Sequence, residues 1–218
     1  MTDSLANTLL FLPGASGNTE FWKPVSDRLC HRGRRAFLSW PGFGGVPSDP
    51  NVKGIDDLVT RIVDSITGPV DLLAQSMGGV IALRAALQKP GMVKHLVLAA
   101  TSGGLDVAAL GGRDWRPEFL AEFPHVPRWF VDEHEDLTDQ LVNLTIPALL
   151  LWGNADPISP LAVGHRLAGL LPRAELVLIE GGTHTFICDR PHDVVPHIER
   201  HLSRSAGHLP QRPLRPLG

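Results

Sequence analysis

Three observations predict an α/β fold built on a mostly parallel sheet. Six short runs of the chain are continuously apolar, as strands covered by helices on both faces must be. Stretches with helical spacing stand between them, at the repeat of strand–helix–strand units. Gly and Pro punctuate the joins, with 22 glycines and 19 prolines among 218 residues.

The elements follow in order. Thr8-Leu9-Leu10-Phe11-Leu12 is the first strand and stops at Pro13-Gly14. A helix is expected from Glu20 to His31, with Phe21, Val25 and Leu29 on one face and Gly33 closing it. A second strand, Ala36 to Trp40, runs into the turn signal Pro41-Gly42-Phe43-Gly44-Gly45. Ile55, Leu58, Val59, Ile62, Val63 and Ile66 then recur at helical spacing until Gly68-Pro69. Val70 to Ala74 is the third strand. The helix expected from Ser76 to Lys89 holds no acid, and only Arg84 and Lys89 carry charge, so it should be largely buried. Val93 to Ala100, Ile146 to Trp152 and Ala174 to Ile179 supply the remaining strands, with helices over Leu161 to Leu171 and Val194 to Leu202.

Two stretches break this alternation. Residues 104–145 hold nine acids against three arginines, a net −6, while the whole chain sums to −3 and the remainder therefore to +3. Five of the thirteen aromatic residues lie there: Trp115, Phe119, Phe123, Trp129 and Phe130. So long an excursion between strands, and so aromatic a one, predicts a lid over a pocket. Residues 204–218 are rich in Pro, Leu and Arg and read as a disordered tail. One core domain over 1–203 is expected.

Composition excludes several classes. Twenty basic residues against 23 acidic give no basic surface for nucleic acid. Two cysteines, Cys30 and Cys188, are too few for a disulfide scaffold or a thiolate metal site. The histidines are scattered without a local ligand set, so neither metal nor cofactor is expected. Met1 to Leu5 carry no basic residue and no long apolar run, which predicts a cytoplasmic enzyme without signal peptide or membrane span. Oligomeric state is not legible.

The chemistry concentrates where strands end. In Leu72-Leu73-Ala74-Gln75-Ser76-Met77-Gly78-Gly79, an apolar strand reaches a serine and small residues open a helix. Such a turn projects the serine above the sheet, with small residues two before and two after it where the backbone passes close. The helix N-terminus then points free N–H groups at whatever the serine binds. Alone, the segment also admits, as the lesser reading, a serine that caps a buried helix. Downstream, Leu149-Leu150-Leu151-Trp152 runs into Gly153-Asn154-Ala155-Asp156, where Asp156 is a candidate acid or a helix cap. Leu178-Ile179 leads through Glu180-Gly181-Gly182-Thr183 to His184, which joins a strand end to a glycine-rich approach. Cys188 has no comparable surroundings and reads as an incidental thiol.

These segments resemble the α/β-hydrolase superfamily. Ala74-Gln75-Ser76-Met77-Gly78 is similar to its G-x-S-x-G nucleophile elbow, with Ala74 in place of the first glycine. The resemblance runs from about residue 8 to residue 202. It implies a sheet that starts at the third strand of the family fold, and a short cap at 104–145. It also implies a triad in the order Ser76, Asp156, His184, and an oxyanion hole from the backbone N–H groups of Ala15 and Met77. Pro13-Gly14 stands where many relatives have His-Gly, which changes how that loop is braced. Pro41-Gly42-Phe43-Gly44 resembles a loop of pimeloyl-carrier methyl esterases and menaquinone-pathway hydrolases.

The expected activity is that of a serine hydrolase on a small-to-medium apolar carboxylic ester or thioester, through an acyl-enzyme. Leu12, Trp22, Met77, Trp115, Phe119 and Trp129 are candidates for the pocket wall. The acidic cap disfavours a polyanionic substrate. Lactone, amide or carbon–carbon bond hydrolysis and acyl transfer use the same triad and stay open, as does a non-catalytic binding protein on this fold.

Overall fold

The computed structural model describes residues 7–132 and 135–204. Beyond Arg204, the tail expected over 204–218 lies outside the described residues. The six strands are β1 (Thr8–Leu12), β2 (Arg35–Phe37), β3 (Val70–Gln75), β4 (Val93–Ala99), β5 (Ala148–Gly153) and β6 (Ala174–Ile179). They form one sheet in the order β2-β1-β3-β4-β5-β6, and all five pairings are parallel. This is the α/β-hydrolase sheet with a helical cap inserted after β4.

Between the strands run α1 (Lys23–Ser26), α2 (Ile55–Ser65) and α3 (Met77–Gln88), then α4 (Arg116–Glu122), α5 (Trp129–Asp132) and α6 (Thr138–Leu141) in the cap, and finally α7 (Leu161–Leu170), α8 (Phe186–Asp189) and α9 (Pro191–Leu202). Every residue of β3 and β5 is buried, because helices cover both faces. Alternation within a strand sorts side chains between two cores. Leu72 and Ala74 face α2, α3 and α7, whereas Leu73 packs with Trp22, Val25, Phe186, Val194 and Ile198 on the opposite face. None of the described helices is long and apolar enough to cross a membrane.

Three elements depart from the limits the sequence predicts by three residues or more, each for a local reason. The helix expected over Glu20 to His31 shrinks to the single turn α1. Pro24 has no N–H to bond the Glu20 carbonyl, so the helix cannot extend towards its N-terminus. The second strand ends at Phe37 rather than Trp40. Leu38 N–H still reaches the Phe11 carbonyl at 2.9 Å, but the next rung needs an N–H from Pro13. The closing helix instead starts earlier, at Pro191, where a proline costs no intrahelical bond.

At the N-terminal end of the sheet lies a buried polar cluster. Asp71 in β3 accepts both contacts of the Asn7 amide, at 3.0 and 3.1 Å, and faces His95 Nδ1 at 2.8 Å. His95 Nε2 lies 2.9 Å from the Arg204 carbonyl, which ties the end of α9 to β4. Both partners of His95 only accept, so the ring donates from both nitrogens as an imidazolium. His201 packs edge-on against it, with ring centroids 5.3 Å apart.

Aromatic and aliphatic contacts join the cap to the core, with Val131, Leu137 and Leu141 in the same buried cluster as Phe130 and Phe43. Phe130 meets Trp115, Phe119 and Phe43 with centroids 5.2, 5.6 and 5.5 Å away, and Phe43 belongs to the loop after β2. An ion pair reinforces them, Arg84 Nε of α3 to Glu135 Oε1 at 3.2 Å.

Candidate active site

Ser76 occupies the one-residue joint between β3 and α3. Its backbone lies at φ 52° and ψ −122°, a region that costs a non-glycine residue about 1–3 kcal/mol. Surrounding bonds hold it there. Ser76 N–H donates to the Ala99 carbonyl at 3.0 Å, and its own carbonyl accepts Gly79 N–H at 3.0 Å and the Thr101 hydroxyl at 2.6 Å. Gly78 is required by close approach, since a Cβ there would stand 2.5 Å from the Pro13 carbonyl oxygen. Ala74 is fully buried, pairing with Leu12 and Leu98 of the neighbouring strands.

Asp156 follows β5 and is buried. Its Oδ1 accepts N–H bonds from Ile158 at 2.8 Å and Ser159 at 3.1 Å, which leaves Oδ2 for His184. The loops after β5 and β6 also meet backbone to backbone, beside the bonds of the Asn154 side chain to Glu180 Oε1 and the Gly181 N–H, both at 2.7 Å. A Cβ on Gly153 would lie 2.0 Å from the Gly182 carbonyl oxygen, and Ala155 N–H donates to that same oxygen at 3.0 Å.

His184 lies between the two. Its Nδ1 is 2.8 Å from Asp156 Oδ2 and its Nε2 is 3.2 Å from Ser76 Oγ. A buried carboxylate only accepts, so Nδ1 carries the proton and the Nε2 lone pair faces the serine hydroxyl. The His184 carbonyl is held in turn by the Gln75 side-chain amide at 3.3 Å.

Thr101 escapes sequence reasoning. Fully buried after β4, it donates to Ser76 O, while its own carbonyl accepts the Ser159 hydroxyl at 3.0 Å. One residue, through its hydroxyl and its backbone carbonyl, thus connects the joint that carries the serine to the loop that carries the acid. No motif marks it, and only its place after a central strand could have pointed to it.

The two expected oxyanion donors lie on adjacent loops. Met77 is the first residue of α3, where an N–H has no intrahelical acceptor. Ala15 sits in the turn closed by Gly17 N–H to Gly14 O at 3.0 Å. Gly14 abuts the serine, for its missing Cβ would be 3.1 Å from Ser76 Cβ.

A cavity of about 640 Å³ opens over Ser76 and His184. Met77 and Trp115 line it, together with Val80, Leu105, Val107 and Phe130. The other residues expected on its wall lie elsewhere. Leu12 is buried in β1. Trp22 belongs to the core on the opposite face of the sheet and donates its indole N–H to the Leu12 carbonyl at 3.1 Å. Phe119 packs edge-on against Trp115 and Phe130, and Trp129 packs edge-on against Phe43. Phe130 is the aromatic that sequence reasoning missed as a wall residue, and only its neighbours in space reveal it.

Charge collects on the cap side of this cavity. Asp106, Asp114, Glu135 and Asp136 line it against Arg113 and Arg116. Arg113 is engaged by Glu118, with bonds of 3.0 and 2.9 Å, and Arg116 bonds Asp114 at 3.1 Å. Hydrogen bonds from Thr138 hold the Asp136 carboxyl below its ordinary range, and the Arg116 N–H does the same for Asp114. Among the described residues no group of three His, Cys, Asp or Glu side chains is arranged to hold a metal. Burial, then the adjacent Asp189 charge, raises the Cys188 thiol above its ordinary range, unlike an activated nucleophile.

Comparison with known proteins agrees with this architecture. The family profile described as Alpha/beta hydrolase family matches residues 9–143, and one described as TAP-like protein matches residues 120–213. A pimeloyl-[acyl-carrier protein] methyl ester esterase of Yersinia pseudotuberculosis serotype O:1b is 24% identical over 235 residues, covering 85% of this chain and 89% of that protein. Its counterpart from Nitrosomonas europaea is 25% identical over 233 residues, covering 86% and 92%. Among solved structures, a thermophilic esterase from Thermogutta terrifontis matches with a TM-score of 0.71 at 21% identity, over 90% of this chain and 89% of that one. A lipase-esterase related protein from Clostridium acetobutylicum matches with a TM-score of 0.72 at 19% identity, over 91% and 95%.

Proposed function

The chain belongs to the alpha/beta hydrolase family, and we propose that it is a serine hydrolase that cleaves small-to-medium apolar carboxylic esters or thioesters through an acyl-enzyme. The observation that carries this reading is the continuous hydrogen-bond chain Ser76–His184–Asp156 beneath a cavity of about 640 Å³, within the usual range for small-molecule pockets.

Ser76 Oγ attacks the substrate carbonyl carbon while His184 Nε2 takes its proton. Asp156 keeps the imidazole in the accepting tautomer and stabilises the imidazolium that forms. The oxygen of the tetrahedral intermediate gains its negative charge between the N–H groups of Met77 and Ala15. Collapse breaks the bond to the leaving alcohol or thiol, which departs with the proton from His184. Water, deprotonated by His184, then attacks the acyl-Ser76 ester. The acid leaves, and Ser76 recovers its proton.

Apolar wall residues such as Met77, Val80, Leu105 and Trp115 favour an aliphatic acyl or alcohol group. The acidic cap side argues against an anionic acyl chain and against a polyanionic carrier.

Hydrolysis of p-nitrophenyl esters from acetate to octanoate, by wild type and Ser76→Ala, tests the reading. The expected result is an optimum at one chain length and a rate in Ser76→Ala reduced by 10³-fold or more. Equal rates in the two proteins across the series would overturn it.

A further inference from the structure

We propose that Trp40 is a positioning residue for the oxyanion hole, aiming the Ala15 N–H by holding the other side of the same peptide group. The inference rests on the serine hydrolase reading and names a residue which that reading does not use.

Three consecutive carbonyls, from the last residue of β1 into the loop after it, accept from two buried indoles, and Gly14 O also accepts the Gly17 N–H at 3.0 Å. Trp22 Nε1 donates to Leu12 O at 3.1 Å, and Trp40 Nε1 is shared between Pro13 O at 3.3 Å and Gly14 O at 3.1 Å. Both rings are 1% exposed, so no water competes for these bonds. In a trans peptide the C=O and the following N–H point in opposite directions, and among the described residues no peptide bond is cis. Fixing Gly14 O on the indole therefore turns the Ala15 N–H away from it. Gly14 lies against the nucleophile, where a Cβ would be 3.1 Å from Ser76 Cβ and 2.4 Å from Gln75 Oε1. The donor so aimed is the one that the hydrolase reading assigns to the oxyanion.

Trp22 provides an internal comparison. Its indole holds the Leu12–Pro13 peptide, and Pro13 has no N–H to aim. The two tryptophans are alike in burial and both donate to backbone carbonyls, yet only Trp40 holds peptides whose following N–H can be aimed. A purely structural role predicts similar consequences for losing either indole N–H. A positioning role predicts different ones.

The experiment compares wild type, Trp40→Phe and Trp22→Phe on the best p-nitrophenyl ester, with a melting curve for each and labelling of Ser76 by a fluorophosphonate. A second variant carrying 3-benzothienylalanine at position 40 replaces the N–H by sulfur at nearly constant shape, and covers a folding failure of Trp40→Phe. Loss of the aim lowers kcat by about 10- to 100-fold with KM within about twofold, the signature of a contact made in the transition state. Trp22→Phe lowers the melting temperature with kcat within about twofold. If the wild type hydrolyses esters and both position-40 variants keep its kcat, or if Trp22→Phe loses as much kcat as they do, the positioning role is overturned. If the wild type neither hydrolyses esters nor labels at Ser76, the hydrolase reading is overturned, and the oxyanion role of Trp40 with it.

Discussion

The Thr101 hydroxyl donates to the Ser76 carbonyl at 2.6 Å, and the Thr101 carbonyl accepts the Ser159 hydroxyl at 3.0 Å. The strained serine and the acid loop are therefore supported by the same residue. Thr101→Val keeps the shape and removes the donor, leaving a buried carbonyl one bond short. Stability should fall by about 1–3 kcal/mol. Slack at the nucleophile should lower kcat by roughly tenfold. Urea unfolding and ester kinetics check both, and a variant unchanged in each would remove Thr101 from the account.

Gly153 and Gly182 hold the acid loop and the histidine loop in backbone contact. Gly153→Ala introduces a methyl 2.0 Å from the Gly182 carbonyl oxygen, where only the main chain could move aside. The loops must separate, which lengthens the Asp156–His184 bond. A loss of about 1–3 kcal/mol is expected, with kcat reduced by roughly 100-fold. Retention of more than half the wild-type kcat would contradict this dependence.

The carboxylates on the cap side predict charge discrimination. Asp106 Oδ1 accepts the Ala109 N–H at 3.0 Å and Asp136 Oδ1 accepts the Thr138 N–H at 2.9 Å, so asparagine preserves both bonds while removing the charge. In the double variant Asp106→Asn/Asp136→Asn, kcat/KM for the p-nitrophenyl half-ester of adipic acid should rise about three- to tenfold relative to the neutral butyrate. The gain should shrink as salt is added. A ratio that does not change at low ionic strength would show that these acids do not screen substrates.

The histidine cluster at the other end of the sheet predicts a pH-dependent stability. Burial, then repulsion from His95, lowers His201 to about 4 from 6.5. Between those values the unfolded chain binds the proton that folded His201 refuses. Its stabilising contribution is therefore complete above pH 6.5 and is lost as pH falls towards 4, a change of about 3 kcal/mol. His31, lowered mainly by burial, acts in the same direction. His95 acts in the opposite one. Burial works against its charge, but the Asp71 carboxylate and the Arg204 carbonyl raise it above 6.5, so its contribution fades as pH rises through that higher value. Denaturant unfolding from pH 4.5 to 7 should show a steep acid limb that flattens in His201→Leu. Equal slopes in the two proteins would refute the assignment.

The sheet was legible from apolar runs because burial on both faces leaves no other pattern, and β1 and β6 match their predicted limits. Ser76, Asp156 and His184 stood out for a related reason, since each follows a strand end and carries its loop chemistry in adjacent residues. What could not be read depends on distant partners. The Trp40 bonds to Pro13 and Gly14 cross 26 or 27 residues, and the Thr101 bond to Ser76 crosses 25. Trp22 was misplaced because a long amphipathic helix was assumed where Pro24 permits one turn, and a single turn presents a different face. In the cap, spacing gave an aromatic excursion but not its three short helices, of which α4 and α5 are seated by ring contacts with Phe43 and with one another, while α6 carries no ring.

The bond between His95 and the Arg204 carbonyl sets the geometry of attachment to a support. Asp71 and Ser76 sit five residues apart on the same stretch of chain, so roughly 16 Å of strand separates the histidine cluster from the nucleophile. Arg204 is fastened at the far end of that span. A tether joined next to Arg204 would grip the molecule by its base, and the mouth above Ser76 would face the surrounding liquid.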